Sequence, residues 1–213
     1  MGVMFRVLGL WYITFVTDYI NIRIMKYTLD GLKMTYDQIM APIDFLYFWG
    51  HTEKPGKVTK ACLSQWYPCV FHVDGVMYNS AEQFMMAEKA RVFGDEETLD
   101  LILQATSPDV IKQLGRQVRN FDAAVWDKAA LRAVFRANLH KFGQNKSLRQ
   151  FLLATGKAVL VEASPYDTIW GIGMNRQEAE KAHPHIWKGK NQLGFTLMEV
   201  RDILRDVEAV EFE

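Results

Sequence analysis

The feature that most constrains this chain is the run from Cys69 to Phe93, where two short apolar stretches, Cys69–Val73 and Val76–Tyr78, flank Asp74-Gly75 and lead directly into Asn79-Ser80. An aspartate-glycine pair between β-type runs predicts a hairpin, because the favoured two-residue turn needs positive φ at both central residues. Ser80, followed three residues later by Gln83, is a capping-box pattern, and a helix is expected from there to about Phe93. Strand and helix are thus combined within 25 residues.

The remaining signals add helices more than strands. Asp44–Trp49 (DFLYFW) reads as a short strand and Ala158–Glu162 (AVLVE) as a buried one. Helices are expected over Asp95–Ala105, over Ser107–Val118 with Pro108 in the first turn, over Asp122–Phe142 and over Ser147–Thr155, where Gly156 stops the run. Leu193–Val207 closes the pattern as an amphipathic helix whose Leu193, Leu197, Val200 and Leu204 stripe reads as core, and Trp126 reads as core too. Ser164–Asn191 is a long irregular stretch, and loops of that length inside a compact domain tend to carry function. The expected class is α+β: a helix-rich single domain with a small sheet, spanning 42–207, with an extension at 1–41 and a tail at 208–213. Val7–Thr17 is the most apolar run, but it is too short to span a bilayer and is closed by Asp18.

Charge limits the partners. Lysine plus arginine and aspartate plus glutamate both number 25, so no global field draws the chain to nucleic acid or to an anionic membrane. Any phosphate site must be local. Cys62 and Cys69 lack CxxC spacing, and His140, His183 and His185 lack an HExxH-type pairing, so neither a metal nor a cofactor is expected. Reduced thiols fit a cytoplasmic protein.

Two constellations carry chemistry. On the helix after Ser80, Glu82, Met86, Lys89 and Phe93 fall on one stripe, so a carboxylate and an ammonium interrupt an apolar face. They either line a cavity, or Lys89 reaches solvent while Glu82 answers the helix dipole. In the second constellation a strand delivers Glu162 to a loop holding Asp167, Trp170, Gly171 and Gly173. Alternating glycines let backbone approach a ligand, although a lone GxG also occurs in ordinary turns.

Six blocks in order, Leu63-Ser64-Gln65-Trp66-Tyr67-Pro68, Ala81-Glu82-Gln83-Phe84-Met85-Met86-Ala87-Glu88-Lys89-Ala90, Leu160-Val161-Glu162, Trp170-Gly171-Ile172-Gly173, Trp187-Lys188-Gly189-Lys190-Asn191-Gln192-Leu193-Gly194 and Leu197-Met198-Glu199-Val200-Arg201, resemble the NADAR (YbiA-like) N-glycosidase family over about Asp44 to Arg205. An insertion from Met174 to His185 is similar to its longer branch.

The resemblance implies a YbiA-like fold and hydrolysis of the N-glycosidic bond of a ribosylated, phosphate-bearing base. The substrate would be either a phosphoribosylamino-pyrimidine intermediate of riboflavin synthesis or ADP-ribosyl-guanine, free or in modified nucleic acid. It implies Glu82 and Asp167 as a catalytic pair with Glu162 in reserve, because cleaving an N-riboside builds positive charge on the ribose. Lys89 would hold phosphate, Trp170 or Trp66 would stack the base, and Gly171, Gly173 and Asn191 would meet ribose or phosphate. Arg116 would grip a phosphate or be a solvated helix arginine. The rival reading is a non-catalytic module that binds ADP-ribose or another nucleotide in the same pocket; three acids around an anionic ligand favour the enzyme.

Overall fold

A computed structural model of the chain describes residues 26–39, 41–52 and 55–211. The apolar run Val7–Thr17 lies outside them. In chain order the elements are α1 (Leu29–Gln38), β1 (Phe45–Phe48), β2 (Phe71–Val73), β3 (Val76–Tyr78), α2 (Ala81–Val92), α3 (Glu96–Gln104), α4 (Pro108–Gln117) and α5 (Ala123–Gln144). These are followed by α6 (Lys146–Ala154), β4 (Val159–Glu162), the single turn α7 (Arg176–Ala179) and α8 (Gln192–Glu211). Two 3-10 turns, Lys60–Leu63 and Pro184–Ile186, complete the set among the described residues. The class is the one expected: helix-rich α+β with little sheet.

The hairpin forms as the Asp74-Gly75 pair demands, with φ of 50° and 80° at the two turn residues and Phe71 paired to Tyr78. Ser80 caps α2, its hydroxyl accepting from the Gln83 amide at 3.1 Å. The Gln83 side chain departs from a reciprocal box: its Oε1 accepts from the Asn79 amide at 2.8 Å, and its Nε2 donates to the carbonyls of Ile102, Leu103 and Ala105 at the end of α3. One carboxamide therefore caps two helices. β1 and β4, far apart in sequence, pair in parallel from Phe45 with Val159 to Phe48 with Glu162.

α2 is the hub. It packs against α3, α4 and α5, while α8 packs on α5 and covers β4. Every residue from Ala81 to Ala87 is buried, so the two-faced stripe read from the sequence gives way to a helix enclosed on all sides over its first two turns. Phe84 closes an aromatic cluster with Tyr78 and Phe71 at 5.0 and 6.3 Å. Leu193, Leu197, Val200 and Leu204 of α8 are buried, as their spacing requires.

Three features extend beyond the sequence reading. α1 lies within the segment set aside as an extension, yet it is tied to α8: the Tyr27 hydroxyl donates to Asp202 at 2.6 Å and the Tyr27 amide to Glu199 at 3.0 Å. α8 continues past residue 207, and Glu208 pairs with Arg149 at 3.2 Å. Within the long irregular stretch, Asn175 and Glu178 form a reciprocal capping box around α7. No helix among the described residues is long and apolar enough to cross a membrane.

Candidate active site

The C-terminal ends of β1 and β4 open into a cavity of about 820 Å³. Its wall takes Trp49 and His51 after β1, Ser64 to Trp66, Glu82, Met85, Met86 and Lys89 of α2, Lys112, Gly115 and Arg116 of α4, Trp126 of α5, Glu162 at the end of β4, and Ser164, Tyr166, Asp167, Ile169 and Trp170 beyond it. Seven residues expected from the sequence converge here: Glu82, Glu162, Asp167, Lys89, Arg116, Trp66 and Trp170. The two readings of the α2 charges are thereby separated, since both Glu82 and Lys89 line the cavity. Trp126, read as core, is buried and also presents a face to it.

Packing places each acid. The Glu82 amide donates to the Gln65 carbonyl at 2.9 Å, drawing the Trp66 segment onto the first turn of α2. That segment is held from behind by α5, where the fully buried Lys141 donates to the Ser64 carbonyl at 2.7 Å and Asn138 to Gln65 at 2.8 Å. Glu82 is buried, and burial pushes its pKa up to about 7, helped by the negative charge of Asp167 and opposed by Lys112, a hydrogen bond from Trp66 and Arg116. Glu162 is pushed up to about 8, by burial first and then by Asp167 and Glu82, with Lys112 opposing. Although part of its surface is open, its Oε2 is sealed and has no hydrogen-bond partner among the described residues.

Asp167 lines the cavity and also shapes its wall. Its Oδ1 accepts from the amides of Ile169 and Trp170 at 2.8 and 2.7 Å, so this oxygen folds the loop that carries Trp170. Its charge reaches both glutamates.

Gly171, Gly173 and Asn191, expected to meet ribose or phosphate, are not among the residues lining the cavity. A Cβ on Gly171 would come within 2.8 Å of the Glu162 carbonyl, and Gly173 has φ of 64°. Gly171 lets the loop pack on β4, and Gly173 lets it approach Thr168 and Lys188. Asn191 is fully buried; its Oδ1 accepts from the Glu162 amide at 3.0 Å and its Nδ2 donates to the Leu160 carbonyl at 2.9 Å. It acts as a side-chain extension of the sheet that fixes Glu162.

The cations gather on two helices. Lys89 donates to the Gly115 carbonyl at 2.7 Å and lies 4.1 Å over the Phe121 ring, and burial lowers its pKa. Gly115 permits the helix crossing, since a Cβ there would lie 2.0 Å from the Met86 sulfur. Lys112, one turn before Arg116 on α4, was not singled out from the sequence; the i, i+4 spacing from Arg116 was the available signal. Its ammonium lies 5.0 Å from the centre of the Trp66 ring. Trp49 and Tyr166, 6.3 Å apart and exposed, were also missed; they stand together among the lining residues. Of the five tryptophans described, four line this cavity.

A sequence model of the NADAR domain matches residues 47–205. An Acanthamoeba polyphaga mimivirus protein named N-glycosidase R617 is 42% identical over 161 residues, 73% of this chain and 95% of that protein. N-glycosidase YbiA of Escherichia coli K12 is 34% identical over 132 residues, 62% of this chain and 74% of that one. The solution NMR structure of the E. coli protein YbiA superposes with a TM-score of 0.64 at 28% identity, covering 82% of this chain and 92% of that one.

Proposed function

The chain belongs to the NADAR domain family, and from that premise we propose that it is an N-glycosidase, a hydrolase whose cavity cleaves the N-glycosidic bond of a ribosylated, phosphate-bearing base. One observation carries the reading: two carboxyl groups, Glu82 and Glu162, line one cavity with pKa values raised to about 7 and about 8. Near neutral pH such a pair holds both a proton to give and a carboxylate to receive one.

In the proposed reaction Glu162 donates its proton to the leaving base nitrogen as the C–N bond breaks. Glu82, ionised, offsets the positive charge that builds on the ribose and takes a proton from the attacking water. The water oxygen ends on the anomeric carbon, the base leaves protonated, and solvent restores the proton distribution. Asp167 serves as a positioning group through the loop it folds, and its negative charge helps keep the pair protonated into the neutral range. Lys112 and Arg116 attract the phosphate, while Trp66 and Trp170 flank the base. The three acids and their sealed environment favour hydrolysis over the non-catalytic binding of ADP-ribose.

The candidate substrates are phosphoribosylamino-pyrimidine intermediates of riboflavin synthesis and ADP-ribosyl-guanine, and the reduced cysteines, Cys62 buried and Cys69 half-buried, suit a cytoplasmic setting. Incubation with each candidate, followed by mass spectrometry, tests the proposal. Release of free base by wild type and not by Glu82→Gln is expected; intact substrate in every reaction would reject it.

A further inference from the structure

Away from the cavity, one cluster of side chains brings together donor atoms that the reaction does not use. Asp37, in the last turn of α1, faces His183 and His185, which bracket Pro184 at the second 3-10 turn. His185 Nε2 lies 3.1 and 3.0 Å from the two Asp37 carboxylate oxygens, and His183 Nε2 lies 3.7 Å from Asp37 Oδ1. One ligand atom from each of the three residues falls within 4.8 Å of the others. Asp37 and His185 are 148 positions apart, so no local spacing in the sequence announces the group.

The arrangement is held by packing as well as by charge. The His183 ring stands edge-on to Tyr36 with centroids 4.0 Å apart, and the two imidazoles lie 4.7 Å apart. Pro184 fixes φ between them, which limits how far the two rings can diverge. A simple surface ion pair would need one histidine, whereas here two converge on one carboxylate.

We propose that Asp37, His183 and His185 form a site for a divalent transition-metal ion of the zinc class. Two imidazoles and a carboxylate are the donor set of Zn²⁺, Co²⁺ or Ni²⁺; Mg²⁺ and Ca²⁺ prefer all-oxygen sites. All three side chains are partly open to solvent, so water can complete the coordination. Binding through His183 Nε2 leaves the proton on Nδ1, so the weak 3.3 Å contact from the His185 amide is given up on loading.

The ion would clip α1 to the segment that runs on into Trp187–Asn191. That segment supports the active-site loop, because the Lys188 and Lys190 amides donate to the carbonyls of Ile172 and Thr168 at 3.0 and 2.9 Å. The site is therefore structural and lies outside the cavity.

The test is calorimetric titration of the full-length, tag-free chain with Zn²⁺, together with the visible spectrum of the Co²⁺ form. One ion per chain is expected, bound at least about tenfold more weakly by His185→Ala and Asp37→Asn and unchanged in Glu82→Gln. Far-UV circular dichroism in EDTA checks that the variants fold. As a readout on wild type alone, Zn²⁺ should shield His183 and His185 from diethyl pyrocarbonate while leaving the exposed His72 reactive. No saturable binding, equal binding by His185→Ala, or equal modification with and without Zn²⁺ overturns the proposal.

Discussion

The two ends of α2 place opposite charges against the same cavity and treat them differently. At its first turn Glu82 is sealed among other acids, and its pKa moves toward neutrality. Two turns on, Lys89 is only half-buried and already committed to the Gly115 carbonyl and the Phe121 ring. The difference teaches that charges lining one cavity are set differently by what surrounds them. Burial among competing charges raises the carboxyl of Glu82 toward neutrality, whereas a backbone hydrogen bond ties the ammonium of Lys89 to α4.

The sharpest way to break this comparison is at the sealed end. Glu82→Gln and Glu162→Gln should each fold and lose at least about a hundredfold in kcat, with steady-state kinetics as the measure. A loss confined to KM would make these groups binding residues.

The open end predicts a smaller effect. Lys112→Met and Arg116→Met should raise KM for a phosphorylated substrate by about tenfold, the loss of one charge-assisted hydrogen bond, and leave KM for the dephosphorylated nucleoside nearly unchanged. Lys89→Met should instead lower the melting temperature by roughly 2–4 °C, as expected for one lost half-buried hydrogen bond in a chain of this size. A Lys89→Met protein with normal stability and a selectively raised KM would return that ammonium to phosphate binding.

A further effect concerns stability and pH. The folded protein holds the Glu162 proton up to about pH 8, against a reference of 4.5. Between those values the native state binds more protons than the unfolded chain, so stability falls as pH rises. Glu162→Gln avoids that cost and should melt roughly 3 °C or more above wild type at about pH 9, with the advantage shrinking toward about pH 4. Thermal melts at the two pH values check it.

Much of this was legible in the sequence because its signals are local. The Ser80 cap and the Asp74-Gly75 turn act within a few residues, and the structure uses both. Glu82, Glu162 and Asp167 stood out because acids interrupt apolar or glycine-bearing segments. What stayed hidden depends on distant contacts. Lys112 is one more polar residue on an amphipathic helix until Trp66 is brought to it. Asn191 looked like a ligand for ribose, and only the β4 backbone shows that its amide is spent on Leu160 and Glu162. α1 gained its place from Asp202 and Glu199, more than 170 residues away.

The central claim, that two sealed carboxyl groups divide the proton work, is tested most directly by the pH dependence of kcat/KM. Wild type should give a narrow bell, with the rising limb near pH 7 as Glu82 ionises and the falling limb near pH 8 as Glu162 loses its proton. In Glu162→Gln the falling limb should disappear from the residual activity. A profile that is flat from about pH 5 to 9, or a falling limb that survives in Glu162→Gln, would contradict the account.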